Sequence, residues 1–313
     1  MMANLNPGAD TIAFNIAGPT VIHPVSDLPA VTGPTTLDGT TPPGPSRVFI
    51  EGAGTWPKLI TNNLDGLRIT RGSTVRGLAI GGFTGVDSTG IRVTGNGNVI
   101  GRNSNAAIMI AYNGQTGVVV AFNDADVRNV IRGNNIYLNG SPGIDLGDDG
   151  VTTNDPQDPD AGPNNFQNFP VLTSITLSGG TATISGTPNS APNSTVAIDL
   201  FVTHIWDTTT CGEAQKYLGS TTVTTDASGN GSFTATPGGV PAGWNYFAAR
   251  ASASKDARYT AGRELLSAAA SQIGQPLTPT ILAHAPRALP IGIYPPSISR
   301  AIVDRRATNR RLI

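Results

Sequence analysis

Hydrophobic positions two residues apart mark the middle of this chain. A phrase of glycine, apolar, any residue, apolar occurs as Gly66-Leu67-Arg68-Ile69, Gly90-Ile91-Arg92-Val93, Gly117-Val118-Val119-Val120 and Gly143-Ile144-Asp145-Leu146. Successive copies begin 24, 27 and 26 residues apart. A second phrase precedes three of them: Thr74-Val75-Arg76-Gly77, Asn98-Val99-Ile100-Gly101 and Asn129-Val130-Ile131-Arg132-Gly133. Both phrases are rich in the branched apolar residues that strands prefer. Each period therefore predicts two or three short strands separated by Gly and Asn.

Within a quartet the two apolar residues point to one side, and Arg68, Arg92 or Asp145 points to the other. Strands this short cannot bury that side alone. Stacking successive turns of a coil solves the problem, because each strand pairs in parallel with its equivalent one turn later and the inward residues form a continuous column. The predicted architecture is a parallel β-helix, with Asn and Gly at corners because both tolerate left-handed backbone angles. An ordinary antiparallel sandwich does not require the two phrases to return in the same order.

Residues 1–47 read as lead-in turns, since Ile12, Phe14 and Ile16 alternate with Thr11, Ala13 and Asn15. The helix proper is predicted over 48–172, opening on Val48-Phe49-Ile50 after the Pro-rich stretch Thr41 to Pro45 and closing in an Asp-rich junction. Over 173–253 the pattern changes to separate alternating strands near Thr181 to Ser185, Thr195 to Val202, Leu218 to Thr224, Gly231 to Thr236 and Tyr246 to Ala251. Turn signals such as Gly179-Gly180 lie between them, and the spacing predicts a small immunoglobulin-like β-sandwich. Residues 254–313 form a Pro- and Ala-rich tail, expected to be disordered apart from a short helical candidate near Gly262 to Ser271.

Composition agrees with an all-β reading. Of 313 residues 13% are charged, and 38 Gly with 24 Pro would break helical runs repeatedly. The chain shows no apolar stretch long enough to span a membrane and no export signal at its start. The single cysteine, Cys211, excludes an internal disulfide and paired-cysteine zinc sites. The net charge of -1 hides an uneven distribution. Residues 1–254 hold 11 basic and 18 acidic side chains, whereas 255–313 hold 9 and 3. Arg305, Arg306, Arg310 and Arg311 lack interleaved aromatics, and no nucleic-acid partner is expected.

Several stretches carry a family resemblance: ADTIAFNI at 9–16, LPAVTGPTTLDGTTPPG at 28–44, STVRGLAI at 73–80, RNVIRGNNIYLNGSPGIDLGDDG at 128–150 and GPNNFQNFPVL at 162–172. They resemble the right-handed parallel β-helix repeat proteins that bacteria secrete or display, many of which begin with a segment called CSLREA after its sequence. The resemblance covers roughly residues 4–252. It implies a pectin-lyase-like fold and a secreted or cell-surface location, and it implies no particular reaction. Two departures stand out. ANLNPGAD looks like the end of the lead segment without its upstream export signal, and SKDARYTAGRELL stands where the family tends to close with a phrase like DPAGNTSEFS. The expectation drawn from them is an incomplete or frame-shifted product.

Candidate chemistry is concentrated in the junction. Asp148, Asp149, Asp155, Asp158, Asp160 and Asn164 offer oxygen ligands for calcium, which takes six to eight, and no Lys or Arg lies between Arg132 and Lys216. The competing reading is a solvated loop whose Asp and Asn residues cap their own turns. On the coil, Arg68, Arg92 and Asp145 occupy equivalent quartet positions and form a candidate contact ladder for an anionic polysaccharide or cell-envelope surface. The alternative is that they only keep the face soluble. Trp56, Tyr112, Tyr137 and Trp206 are candidates for stacking on sugars. His23, His204 and His284 fall in separate regions and form no cluster. The expectation is a structural, adhesive or glycan-contacting protein with a calcium-stabilised junction; a polysaccharide lyase or glycoside hydrolase is the alternative.

Overall fold

A computed structural model describes residues 8–16, 20–42, 47–52, 64–101, 107–121, 128–205 and 213–253, together with the backbone of 254 and 259–268. Strands β1 (Asp10–Ala13) and β2 (Val21–Ile22) open a coil, and β3 (Thr35–Asp38), β4 (Val48–Glu51) and β5 (Leu67–Ile69) form its next turn. The following turns are β6 (Thr74–Arg76), β7 (Leu78–Gly81) and β8 (Ile91–Val93); β9 (Val99–Gly101), β10 (Met109–Ala111) and β11 (Val118–Ala121); and β12 (Val130–Arg132), β13 (Asn135–Tyr137) and β14 (Ile144–Gly147). They stack as three parallel sheets, β1-β3-β6-β9-β12, β2-β4-β7-β10-β13 and β5-β8-β11-β14. The result is a parallel β-solenoid of about four turns.

The register follows the quartets. Leu67, Ile91, Val118 and Ile144 stand in one column, and Ile69, Val93, Val120 and Leu146 in another. Both columns are buried, and with Val75, Ile100 and Ile131 of the first sheet and Ile80, Ile110 and Ile136 of the second they make a single apolar core. The two kinds of glycine have different causes. Gly77, Gly101 and Gly133 have φ of 66, 78 and 65°, the left-handed corner expected from sequence. The quartet glycines serve close approach instead: a Cβ on Gly90 would lie 2.6 Å from the carbonyl oxygen of Gly117, which in turn would meet Gly143 at 2.7 Å.

Asparagines line the coil interior in ladders. The backbone N–H of Ser73 donates to Asn98 Oδ1, that of Asn98 to Asn129, and that of Asn129 to Asn164 at 2.9 Å. A second ladder runs from Phe83 N–H to Asn113, Asn113 to Asn139, and Asn139 to the Glu213 carboxylate. Each side chain satisfies a buried donor of the preceding turn that strand pairing leaves over.

The C-terminal part is antiparallel. It comprises β15 (Val171–Ser178), β16 (Thr181–Thr187), β17 (Thr195–Thr203), β18 (Lys216–Thr224), β19 (Phe233–Ala235), β20 (Tyr246–Ser254) and β21 (Tyr259–Ala268), in sheets β15-β16-β19 and β18-β17-β20-β21. Leu172, Ile184, Val196, Ile198, Phe233 and Phe247 contribute to their shared core. Gly179 and Gly180, with φ of 55 and 79°, turn the β15–β16 hairpin as their sequence demands. The helical candidate at 262–271 is corrected over 262–268, and 269–271 lie outside the described residues. Residues 259–268 form β21, because the open edge of β20 pairs with them in antiparallel sense across one bulge and tertiary pairing overrides local propensity. The rest of the tail, with its arginines and His284, lies outside the described residues, as do Trp56, Trp206 and Cys211.

Candidate functional site

The outer face of the third sheet aligns Arg68, Arg92, Val119 and Asp145 in one register. The ladder expected from the quartets is present in position, and its charges are paired within the fold. Buried Asp65 receives Arg68 Nε at 2.8 Å and Arg92 Nε at 2.9 Å through Oδ2, while its Oδ1 accepts the Thr89 N–H. Arg92 also donates through Nη1 to Asp148 at 2.6 Å. Burial works against the Arg92 charge, and Asp148 and Asp65 more than offset it, so its pKa lies above the ordinary value. The Arg68 side chain is 43% exposed and that of Arg92 19%, so Arg68 offers most of the open surface. Asp145 is buried and accepts the Gly150 N–H at 2.9 Å, closing the turn after β14.

The junction has a cation near it after all. Arg92 precedes Asp148 by 56 residues, and stacking of the coil brings the two together. Asp158 is buried, accepting the Asn168 N–H at 2.9 Å on Oδ1, and Gln167 Nε2 at 2.8 Å and Ser190 Oγ at 2.9 Å on Oδ2. Asn164 continues an internal ladder and donates its amide back to the Asn129 carbonyl. It sits in a short 3-10 turn, Pro163–Phe166, whose Phe166 ring packs against the end of the coil core. Gly162 is required there because a Cβ would strike that ring.

Asp155 and Asp160 behave differently. Asp155 Oδ1 is buried without a hydrogen-bond partner, and the Asp160 carboxyl is held above its usual range by burial and by Asp155. Among the described residues, no three His, Cys, Asp or Glu side chains group as a metal site would.

Of the aromatic candidates, Tyr112 and Tyr137 meet edge to face at 6.1 Å on the outside of the second sheet, with Tyr137 donating to Met109 sulfur. His23 stands 3.6 Å from buried Glu51, and His204 stacks on Trp244 at 4.9 Å. Sequence reasoning missed Asp65, Asp199, Glu213 and the internal role of the asparagines. The last left a trace, since Asn113 and Asn139 are separated by the quartet step of 26 residues.

Fold and face together define a parallel β-solenoid with antiparallel sheets at its C-terminal end and an internally paired charged ladder. No family model matches the chain, and no curated protein matches it either. Among the described residues no helix is long and apolar enough to cross a membrane.

Proposed function

We propose that this chain is a structural or adhesive module of an extracellular or cell-surface protein, a right-handed β-helix joined to an immunoglobulin-like sandwich, with the third-sheet face as its glycan contact. One observation carries the reading: Asp65 and Asp145 on that face, and Asp158 in the junction, are engaged by the fold. Asp65 holds two arginines and a backbone N–H, Asp145 closes a turn, and Asp158 takes three donors. A hydrolase instead needs two carboxylates facing a sugar bond with oxygens free for proton transfer or attack. On this face Arg68 is the residue best placed to meet an anionic sugar.

A screen of acidic and neutral polysaccharides tests the reading. Binding without new reducing ends or unsaturated products is expected, weakened by Arg68→Ala. Turnover lost in Asp145→Asn would replace it with the lyase or hydrolase alternative.

Calcium stabilisation of the junction belongs to the same proposal and rests on Asp155 and Asp160. Their geometry fits a divalent cation in part, since one oxygen is orphaned and a second carboxyl is disfavoured as an anion. Asp148, Asp158 and Asn164 have oxygens committed to protein partners. Because the fold raises the Asp160 pKa, its charge opposes folding at neutral pH, and Asp160→Asn is expected to raise Tm in the absence of calcium. Millimolar calcium should raise the Tm of the wild type and leave the variant unchanged; equal responses would remove the metal.

A further inference from the structure

Two Asp-Pro peptide bonds lie in the segment between the coil and the antiparallel sheets, Asp155-Pro156 and Asp158-Pro159, and the sequence has no others. Such a bond is open to attack from within its own residue. The aspartate carboxylate closes a five-membered ring on its own main-chain carbonyl, and the proline nitrogen, that of a tertiary amide, leaves once it gains a proton. The fold treats the two aspartates in opposite ways. Asp158 is buried with both carboxylate oxygens taken, Oδ1 by the Asn168 N–H and Oδ2 by Gln167 Nε2 and Ser190 Oγ. Asp155 Oδ1 is buried with no hydrogen-bond partner, so no donor blunts it as a nucleophile.

The carbonyl of residue 155, the one joined to Pro156, is held by a side-chain amide. Asn168 Oδ1 accepts the Asp155 N–H at 3.1 Å, and Asn168 Nδ2 donates to the Asp155 carbonyl oxygen at 2.7 Å. That donor stands where negative charge develops on the oxygen during attack. Asn168 is itself buried, which strengthens the contact. The chain is also fixed on either side of the bond. Asn154 exchanges two hydrogen bonds with the Phe169 backbone, and the Gln157 N–H donates to Asn189 Oδ1 at 2.7 Å. Little backbone freedom is left to lose on the way to a transition state.

We propose that the chain cleaves itself at the Asp155–Pro156 bond, with the Asp155 carboxylate as nucleophile and Asn168 Nδ2 as the donor to the reacting carbonyl. Asp155 Oδ1 attacks its own carbonyl carbon, forming a C–O bond and a tetrahedral oxyanion that Asn168 stabilises. Collapse breaks the C–N bond to Pro156, whose nitrogen takes a proton from solvent and leaves as a secondary amine. Water opens the cyclic anhydride left at residue 155, restoring the side-chain carboxylate and giving that residue a C-terminal carboxylate. One water is consumed, and nothing is oxidised or reduced. The products are residues 1–155 and 156–313. They stay associated, because Asn164, Asp199 and Glu213 of the second hold Asn129, Arg132 and Asn139 of the first. The cut removes the covalent link between coil and sheets and leaves their contacts in place.

The test incubates the full chain in mildly acidic buffer, with EDTA present so that the result is independent of calcium, and locates each cut by mass spectrometry after denaturation. A second sample is held unfolded in urea under the same conditions. In the folded chain the cut at Asp155–Pro156 should exceed that at Asp158–Pro159 by about tenfold or more, and the unfolded chain should lose this preference. Asp155→Ala should abolish the first cut with its circular dichroism unchanged. Should that variant lose its fold, Asp155→Glu, which would have to close a larger ring, is read in its place and should cut more slowly. Asn168→Asp keeps an acceptor for the Asp155 N–H, loses the donor to the carbonyl, and should slow the cut by about tenfold or more. An uncut folded chain overturns the proposal, as does the same ratio of the two cuts in folded and unfolded samples, or a first cut that persists unchanged when Asp155 is replaced.

Discussion

Asp65 shows how single residues organise the coil face. One carboxylate, buried beside the quartet, gathers the Thr89 N–H and the guanidinium groups of two successive turns. Because like charges stacked in register would repel, two arginines a rung apart need such a shared counterion. Asp38 plays a similar part on the first sheet. Burial pushes its carboxyl up, but hydrogen bonds from Arg76 at 2.6 Å and from Thr40 outweigh burial and hold it below the ordinary value. A depressed carboxyl contributes stability that is present above its unfolded pKa and lost as pH falls through the folded one. Melting temperature should therefore drop below about pH 4, and Asp38→Asn should flatten part of that drop while lowering Tm at neutral pH. Parallel pH profiles for the two proteins would count against this role.

At the scale of the element, the quartet is a strand plus the steric condition for stacking it. Gly90 has no side chain because Ile110 Cγ2 and the Gly117 carbonyl oxygen would lie 2.5 and 2.6 Å from its Cβ. Relief would require the rungs to part, so Gly90→Ala is expected to cost about 1 to 3 kcal/mol in urea unfolding. A neutral result would mean the coil relaxes more readily than its register implies. Sequence periodicity caught β5, β8, β11 and β14 because every period repeats the same words. It caught the second sheet poorly. Leu78–Gly81, Met109–Ala111 and Asn135–Tyr137 share a buried central column but little vocabulary, since their outward positions differ from turn to turn. Loops of variable length between turns further blur their spacing.

For the whole molecule, the coil and the C-terminal sheets meet through buried polar contacts: Arg132 with Asp199, Asn139 with Glu213, and Asp158 with Ser190. Charges held there are stable only while both parts are folded. The two parts should therefore melt in one calorimetric transition, and Arg132→Ala should lower its midpoint, since an unpaired buried carboxylate costs about 3 to 5 kcal/mol. Two resolved transitions in the wild type would show that the contacts do not couple them.

Read alone, the sequence already determined the parallel coil, the inward columns and most strands of the antiparallel part, because these follow from alternation and from a repeating period that any rung must obey. It could also place Arg68, Arg92 and Asp145 on one outer face, since register makes equivalent positions neighbours. What it could not decide was charge pairing. Arg92 reaches Asp148 across 56 residues and Arg132 reaches Asp199 across 67, distances that carry no local signal. Likewise the Asp-rich junction reads as cation-seeking along the chain. Tertiary stacking gives Asp148 an arginine and Asp158 three donors, and leaves Asp155 and Asp160 as the carboxylates still facing one another's charge, because only folding sets which oxygens meet hydrogen-bond donors and which are buried without them.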